Sequence, residues 1–332
     1  MSSSETRLYD AQIDGDIMPM VNVLYDIKIW VFLGIVLALV FGFDNPWAAT
    51  ILMVVLIAQM AVSLDGIEFN RHDFKTYDRK IVACVLACFG INTLLTLAAG
   101  LFFIEDDHLW TGWVMLSSVP CAVSVVVASL VMRGDAKMSV LSLTAVYLCA
   151  IGLTPLITKV LLGNAVDPLE ILKYIVLFIA VPFGLSFGIK RLHLPRGFKS
   201  VFINLMMLLM VFIGLGSRRD FIFNDFDVVL YLIVACVLRT FVLGIILVFL
   251  FRRMGIRRED GMVYLVMAVW KNSGMSISLT MALFATTMPD AVLPCVVSLV
   301  VEATWFAVMS KLVDRIWPPE SKDGHPADTI AG

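Results

Sequence analysis

Three charged residues stand deep inside long apolar stretches of this sequence: Arg239 in "VACVLRTFVL", Lys271 in "VWKNSGMS" and Glu302 in "SLVVEATWF". An ion at bilayer depth costs on the order of 3 kcal/mol on insertion scales, so such residues pair with one another or mark a path for substrates and ions. Their formal sum is +1, so a pair formed by Glu302 leaves one base over. The expected arrangement is an Arg239–Glu302 pair, with Lys271 free to meet an anion or to exchange a proton. Pairing of Glu302 with either base as structural glue is the plainer account. Desolvation disfavours a buried ammonium, which makes Lys271 and Glu302 the candidate coupling groups.

Lys271 is followed by Asn272, Ser273 and Gly274, which weaken a helix. In "SSVPCAVS", Pro120 removes a backbone donor and clashes with the preceding turn. Each segment is expected to break into two half-helices, and the amino-terminal end of each second half presents free N–H groups that suit an anion. The candidate substrate-binding residues are Lys271, Asn272, Ser273, Gly274, Pro120, Cys121, Ser124, Arg239 and Glu302. Catalysis finds no foothold. The four histidines lie in loops or tails, no Ser/His/Asp or paired-carboxylate grouping occurs, and no glycine-rich phosphate loop is present. An enzyme, a cofactor and a metal centre are not expected.

Composition places these residues in a membrane. Hydrophobic residues are 60% of the chain and charged ones 16%, against about half and a quarter in soluble domains. A net charge of −2 with no basic run excludes a nucleic-acid partner. The six cysteines all fall in apolar stretches and give neither a disulfide framework nor a ligand spacing. At roughly 20 residues per crossing, the chain divides into ten segments, near 28–43, 46–64, 80–104, 109–132, 138–163, 168–190, 198–216, 226–251, 262–286 and 291–312. Residues 1–27 form a leader without signal-peptide features and 317–332 a tail. Lysine and arginine gather in the leader, the even-numbered loops and the tail, including Arg7, Arg71, Lys75, Arg79, Lys80, Arg133 and Lys190, whereas the opposite loops hold only Lys159, Lys173, Arg218 and Arg219. Both termini are expected in the cytoplasm and the protein in the plasma membrane.

The string "IVACVL" occurs at 81–86 and again at 233–238, five segments apart, and the same offset of 152 carries Pro120 onto Asn272. Short apolar strings recur by chance. Matched interruptions in two halves of opposite direction are, however, the sequence mark of an inverted-repeat transporter with its site at the breaks. The halves are 28–163 and 168–316.

With these features in order, the sequence resembles the bile acid:sodium symporter superfamily over nearly its whole length. It carries the Pro-marked break before "MRGD", "TPLI" late in segment five and "KNSG" in segment nine. The resemblance implies an all-α membrane fold of ten helices, two inverted five-helix repeats forming a core and a panel domain, and organic anions bound where segments four and nine cross. It also implies sodium sites whose ligands are largely replaced here. The segment-nine pattern E-x-G-x-Q-N falls on Met267, Val269, Lys271 and Asn272, the Ser-Asn pair of segment four on Val125 and Val126, one segment-five hydroxyl on Leu143 while Ser139 remains, and the segment-three amide on Cys88. A hard cation wants oxygen ligands, which these side chains lack. Sodium coupling by the family's route is therefore expected to be lost, leaving a proton-coupled or facilitative carrier of a small organic anion. Lys271 then either occupies the place of a bound sodium or releases a proton in the cycle. The alternatives are a non-transporting sensor or assembly subunit of this fold, an unorthodox sodium symporter, and an arsenite-type permease, since such permeases also carry a cysteine after the segment-four proline.

Blander features complete the reading. Met206, Met207 and Met210 suit flexible packing, Trp110, Trp113 and Trp317 suit interfacial anchors, and Gln59 and Asn92 suit interhelical hydrogen bonds.

Overall fold

The computed structural model describes residues 24–64 and 77–319. Most of the leader, Arg71 and Lys75 of the first long loop, and the tail from residue 320 lie outside the described residues. The described residues form helices joined by turns: α1 (Ile27–Phe41), α2 (Ala48–Ser63), α3 (Asp78–Phe103), α4 (Asp107–Ser118), α5 (Val125–Val131), α6 (Ala136–Leu162), α7 (Pro168–Arg191), α8 (Arg196–Gly216), a short α9 (Arg219–Asn224), α10 (Phe226–Arg253), α11 (Arg258–Val269), α12 (Ser273–Phe284) and α13 (Val292–Ile316). Six helical stretches, α3, α6, α7, α8, α10 and Pro289–Ile316, are long and apolar enough to cross a membrane, and α1, α2 and α12 are shorter apolar helices.

Aspartates start many of these helices and glycines stop some of them. The side chains of Asp26, Asp106, Asp135 and Asp167 accept from backbone N–H groups of the first turns of α1, α4, α6 and α7, and Pro168 follows at the first helical position. Gly42 and Gly163 end α1 and α6 at φ +66° and +57°, where a side chain would be strained.

Two long helices are not α-helical throughout. A π-turn occupies Leu86–Asn92 in α3 and another Leu238–Val242 in α10. Each begins on the leucine that ends one copy of "IVACVL". Wider turns of this kind break the regular hydrogen-bond ladder and recur at functional sites.

Packing sorts the helices into two groups. In one, α1 lies along α8 and α2 packs against both α7 and α8. The approach is closest at Gly34, where a Cβ would stand 2.9 Å from the Leu208 carbonyl oxygen. In the other, α3, α4 and α6 pack together and meet α10, α11 and α13, while α12 touches both α13 and α2.

One expectation on the aromatic residues is corrected. Trp113 is fully buried rather than at an interface, stacked on Phe103 at 5.9 Å, because Gly100 opposite it leaves room for the indole. Trp317 closes the end of α13, lies over Gly261 and accepts from the Arg258 guanidinium at 2.7 Å.

Candidate functional site

Segments four and nine, read as single apolar stretches, are each split in the structure. α4 ends at Ser118 because Pro120 has no N–H to continue it, and Val119 turns extended at φ −73°, ψ 156°. α11 ends at Val269, with Trp270 extended at φ −102°, ψ 113°. The two extended strips run antiparallel past each other. Cys121 bridges Lys271, and the Asn272 N–H donates to the Pro120 carbonyl at 2.8 Å.

Ending a helix inside a membrane leaves carbonyls that must find donors. At the end of α4 three side chains supply them. The Ser117 carbonyl accepts from the Thr93 hydroxyl and from the Lys271 ammonium at 2.8 Å each, the Ser118 carbonyl from Thr154 at 2.7 Å, and the Val119 carbonyl from Lys271 at 3.0 Å. The Lys271 ammonium also donates to Cys88 O at 3.1 Å, in the π-turn of α3, and to Thr93 Oγ1 at 3.0 Å. At the end of α11, the Val269 carbonyl accepts from Arg239 at 3.4 Å.

The three deep charges thus each meet a helix end of the favourable sign. Lys271 sits at the carboxyl end of α4 and Arg239 beside that of α11. Glu302 sits at the amino end of α12, accepting from the Ser273 hydroxyl at 2.6 Å and the Lys271 backbone N–H at 3.1 Å. Arg239 and Glu302 form the expected pair at 2.6 Å, both buried, and Arg239 donates further to Ser298 at 2.6 Å, Asn92 at 3.1 Å and Thr96 at 3.3 Å. The expectation of a free Lys271 is corrected: its ammonium is held by four protein oxygens and has no exposure.

A cavity of about 90 Å³ lies between the two helix groups, beside the crossing. Its polar lining includes Gln59, Ser63, Ser124, Asn272 and Ser273, its apolar lining Met207 and Met210, and Gly274, Lys271 and Glu302 also border it. Pro120, Cys121 and Arg239 do not border it. Cys121 is fully buried, with its Sγ 3.2 Å from Met267 Sδ. Gly274 lies against the thioether of Met210 at the cavity edge, and a Cβ there would stand 2.9 Å from Met210 Sδ, so the methionine would have to shift.

Asn272 does two tasks. Its Oδ1 caps α12 by accepting from the Met275 N–H at 3.0 Å, and its Nδ2 donates to the Tyr147 hydroxyl at 2.8 Å. Asn272→Ala is expected to lower stability by about 1–2 kcal/mol, read by denaturant or thermal unfolding, with Tyr147→Phe costing less because the cap survives.

The cavity extends toward the end of the molecule where α1 begins at Ile27, α2 ends at Ser63 and α8 passes Ile203. Toward the other end the two groups are in contact. Gly214 of α8 lies against Val296 of α13, the Ser278 hydroxyl donates to Leu52 O at 3.2 Å, and Arg218 pairs with Asp290 at 3.3 Å while His108 meets the same carboxylate at 3.2 Å.

Sequence reasoning missed Thr93, Thr96, Ser117, Thr154, Tyr147 and Ser298. A signal existed for some: Asn92 and Thr96, like Ser298 and Glu302, lie four apart, on one helix face within apolar surroundings. Where the resemblance implies sodium ligands, the structure has Met267 and Val125 fully buried, and Ser139 bonded to Ser129 at 2.6 Å.

Two comparisons place this arrangement among known proteins. Residues 28% identical over a stretch of 141 relate the chain to the "Probable sodium/metabolite cotransporter BASS2, chloroplastic" of Oryza sativa subsp. japonica, covering 42% of this chain and 33% of that protein, so the match spans only about a third of the relative's length. The model of the Sodium Bile acid symporter family matches residues 50–222, just over half of the 332, including α4, α5 and the π-turn of α3. The helices long enough to cross a membrane are those of a multi-pass membrane protein, and the chain belongs to the sodium bile acid symporter family, a family of transporters rather than enzymes.

Proposed function

We propose that this protein carries a small organic anion across the membrane, with the anion's charged group held at the start of α12 and the α1, α2, α7 and α8 group moving against the remaining helices. The observation that carries this reading is the cavity beside the crossed breaks, where hydroxyl and amide groups of Gln59, Ser63, Ser124, Asn272 and Ser273 converge. Glu302 is already engaged by Arg239 and Ser273, and the Ser124 hydroxyl with the second amide N–H of Gln59 and of Asn272 remain as donors for an anion. At about 90 Å³ the cavity is well below the usual 300–1,000 Å³ of a ligand site. The substrate is then small, or enters as the two groups part.

The chain crosses the membrane ten times as two inverted repeats, with both termini on the cytoplasmic side. Support comes from the matched π-turns at Leu86 and Leu238, from the breaks at Pro120 and Asn272 at the same offset, and from the basic loops on one side. Coupling does not use the family's sodium ligands. Apolar and sulfur-bearing side chains stand at most of those places, and Lys271 and Glu302 serve as fixed charges that complete the crossing.

The test is thermal unfolding of the purified protein against a panel of small carboxylates, in sodium and in choline buffers of equal ionic strength. A ligand of the native state raises apparent stability by mass action. Stabilisation by one anion to the same degree in both buffers is the expected result. A sodium requirement for the anion effect favours the sodium/metabolite coupling that the rice relative's name describes. Absence of any anion effect, with no uptake by proteoliposomes, favours a sensor or assembly role.

A further inference from the structure

We propose that the groove between α1 and α13 binds an anionic phospholipid, with its phosphate among Lys28, Lys311 and Arg315 and an acyl chain along the apolar part of the same α13 face. The groove, of about 470 Å³, takes Lys28 from α1 and the rest of its lining from α13, so one wall comes from each of the two helix groups.

The chemistry of the groove changes along its length. Thr304, Val308, Lys311 and Arg315 recur at intervals of three and four, so they stand on one face of α13. That face passes from apolar at Ala307 and Val308 to basic toward the carboxyl end of the helix. A bilayer lipid presents hydrocarbon and then phosphate in the same order, so one molecule satisfies both parts. Val308 is 44% exposed, and Lys28, Lys311 and Arg315 are exposed as well. Among the described residues no carboxylate pairs with these three bases: Asp314 is taken by Arg258, and Asp26 caps α1. Like charges gathered on one groove repel, and a shared anion removes that repulsion. Lysine and arginine stems also cover apolar surface while their charged heads reach the headgroup level. The end of α13 is held in place from its other side, with Arg252 donating to Ile316 O at 2.6 Å and Arg258 to Trp317 O at 2.7 Å. Basic pockets between membrane helices hold anionic headgroups in this manner.

The groove is the outer side of a seam whose inner side lines the cavity. Ile27 and Ala303 border the cavity, and their chain neighbours Lys28 and Thr304 border the groove. A lipid across this seam ties α1 to α13 at the end toward which the cavity extends. That it restrains the parting of the two groups rests on the transport movement proposed above; that it binds does not.

The test follows the unfolding temperature of full-length protein, stripped of lipid in detergent, against added dioleoylphosphatidylglycerol, dioleoylphosphatidylcholine and glycerol phosphate, with no carboxylate substrate present. Phosphatidylglycerol is expected to raise the temperature in a saturable manner, and phosphatidylcholine and glycerol phosphate to do little. Replacing Lys28, Lys311 and Arg315 together by glutamine is expected to weaken the apparent affinity by at least about tenfold, and Lys28→Gln alone by a smaller, measurable factor. Arg191→Gln with Arg253→Gln removes two charges at the same end but outside the groove, and is expected to leave the affinity within about twofold. Equal stabilisation by phosphatidylcholine, or an equal loss in that control, would mean a diffuse attraction and overturn the proposal. Glycerol phosphate acting as well as the lipid would overturn it in favour of a free phosphate site, and Lys28→Gln binding like wild type would overturn the bridge across the seam. A wild type indifferent to phosphatidylglycerol would overturn it too; a less stable triple variant would then mean that the acidic leader of the chain fills the groove. A failed anion panel with saturable lipid binding would remove the proposed substrate and leave the lipid site, and the reverse result would remove the lipid site alone.

Discussion

Arg239→Met alone is expected to cost about 3–5 kcal/mol of stability, more than the combined replacement of Arg239 and Glu302 by methionine. The reason is the enclosure of the pair: at 2.6 Å, side-chain exposures are 1% for the arginine and 0% for the glutamate. Without the guanidinium, Glu302 keeps only the Ser273 hydroxyl and the Lys271 N–H as donors. An unpaired carboxylate in that position must take up a proton or draw in water. Asn92, Thr96, Ser298 and the Val269 carbonyl also lose their common donor. The double variant removes the stranded charge and retains apolar volume, which is why its loss is smaller. Unfolding of the three variants under one set of conditions gives the coupling energy directly. Losses that simply add would dissolve the pair.

The second large effect concerns movement rather than stability. Gly214→Leu places a branched side chain where even a Cβ would lie 2.6 Å from Val296 Cγ2 and 3.7 Å from Ile277 Cγ2. Overpacking of this kind costs about 1–3 kcal/mol. It falls on the contact that closes one end of the molecule, so it biases the conformational equilibrium by on the order of 5–150-fold. Uptake is expected to fall by at least about tenfold, while a cysteine introduced as Ile277→Cys becomes more reactive toward a membrane-impermeant maleimide. Unchanged uptake and labelling would show that this contact is not part of the closing surface.

Much of the frame was legible because membrane helices announce themselves by composition. The breaks were legible too, since Pro120 and the Asn-Ser-Gly run are poor helix residues wherever they occur. Charge alone paired Glu302 with one of two bases, and the structure has Arg239 as the partner. The direction taken by Lys271 did not. A sequence states that an ammonium is present but not that three carbonyls and a hydroxyl surround it, because backbone carbonyls carry no residue identity. For the same reason the π-turn at Leu86 had no signature, and Thr93 passed as one more small residue in an apolar helix. The tryptophan expectation failed at Trp113 because proximity to a segment end says nothing about which side faces neighbours.

The wide turn in α3 also changes which face of that helix is turned inward. Successive residues of an α-helix advance by about 100°, so one residue accommodated without a matching rise puts the two halves of α3 out of phase. Cys84 and Cys88 face inward four apart, but the next inward hydroxyl, Thr93, comes five residues after Cys88. Wound as a regular α-helix with no residue removed, Thr93 and Thr96 would turn by about a quarter turn toward lipid, whereas deleting Gly90, whose absent Cβ meets no atom within 4 Å, would put Thr93 four residues after Cys88 and keep it inward. Without the wide turn the full-length apolar helix would still span, but it would arrive at the crossing with the wrong side forward.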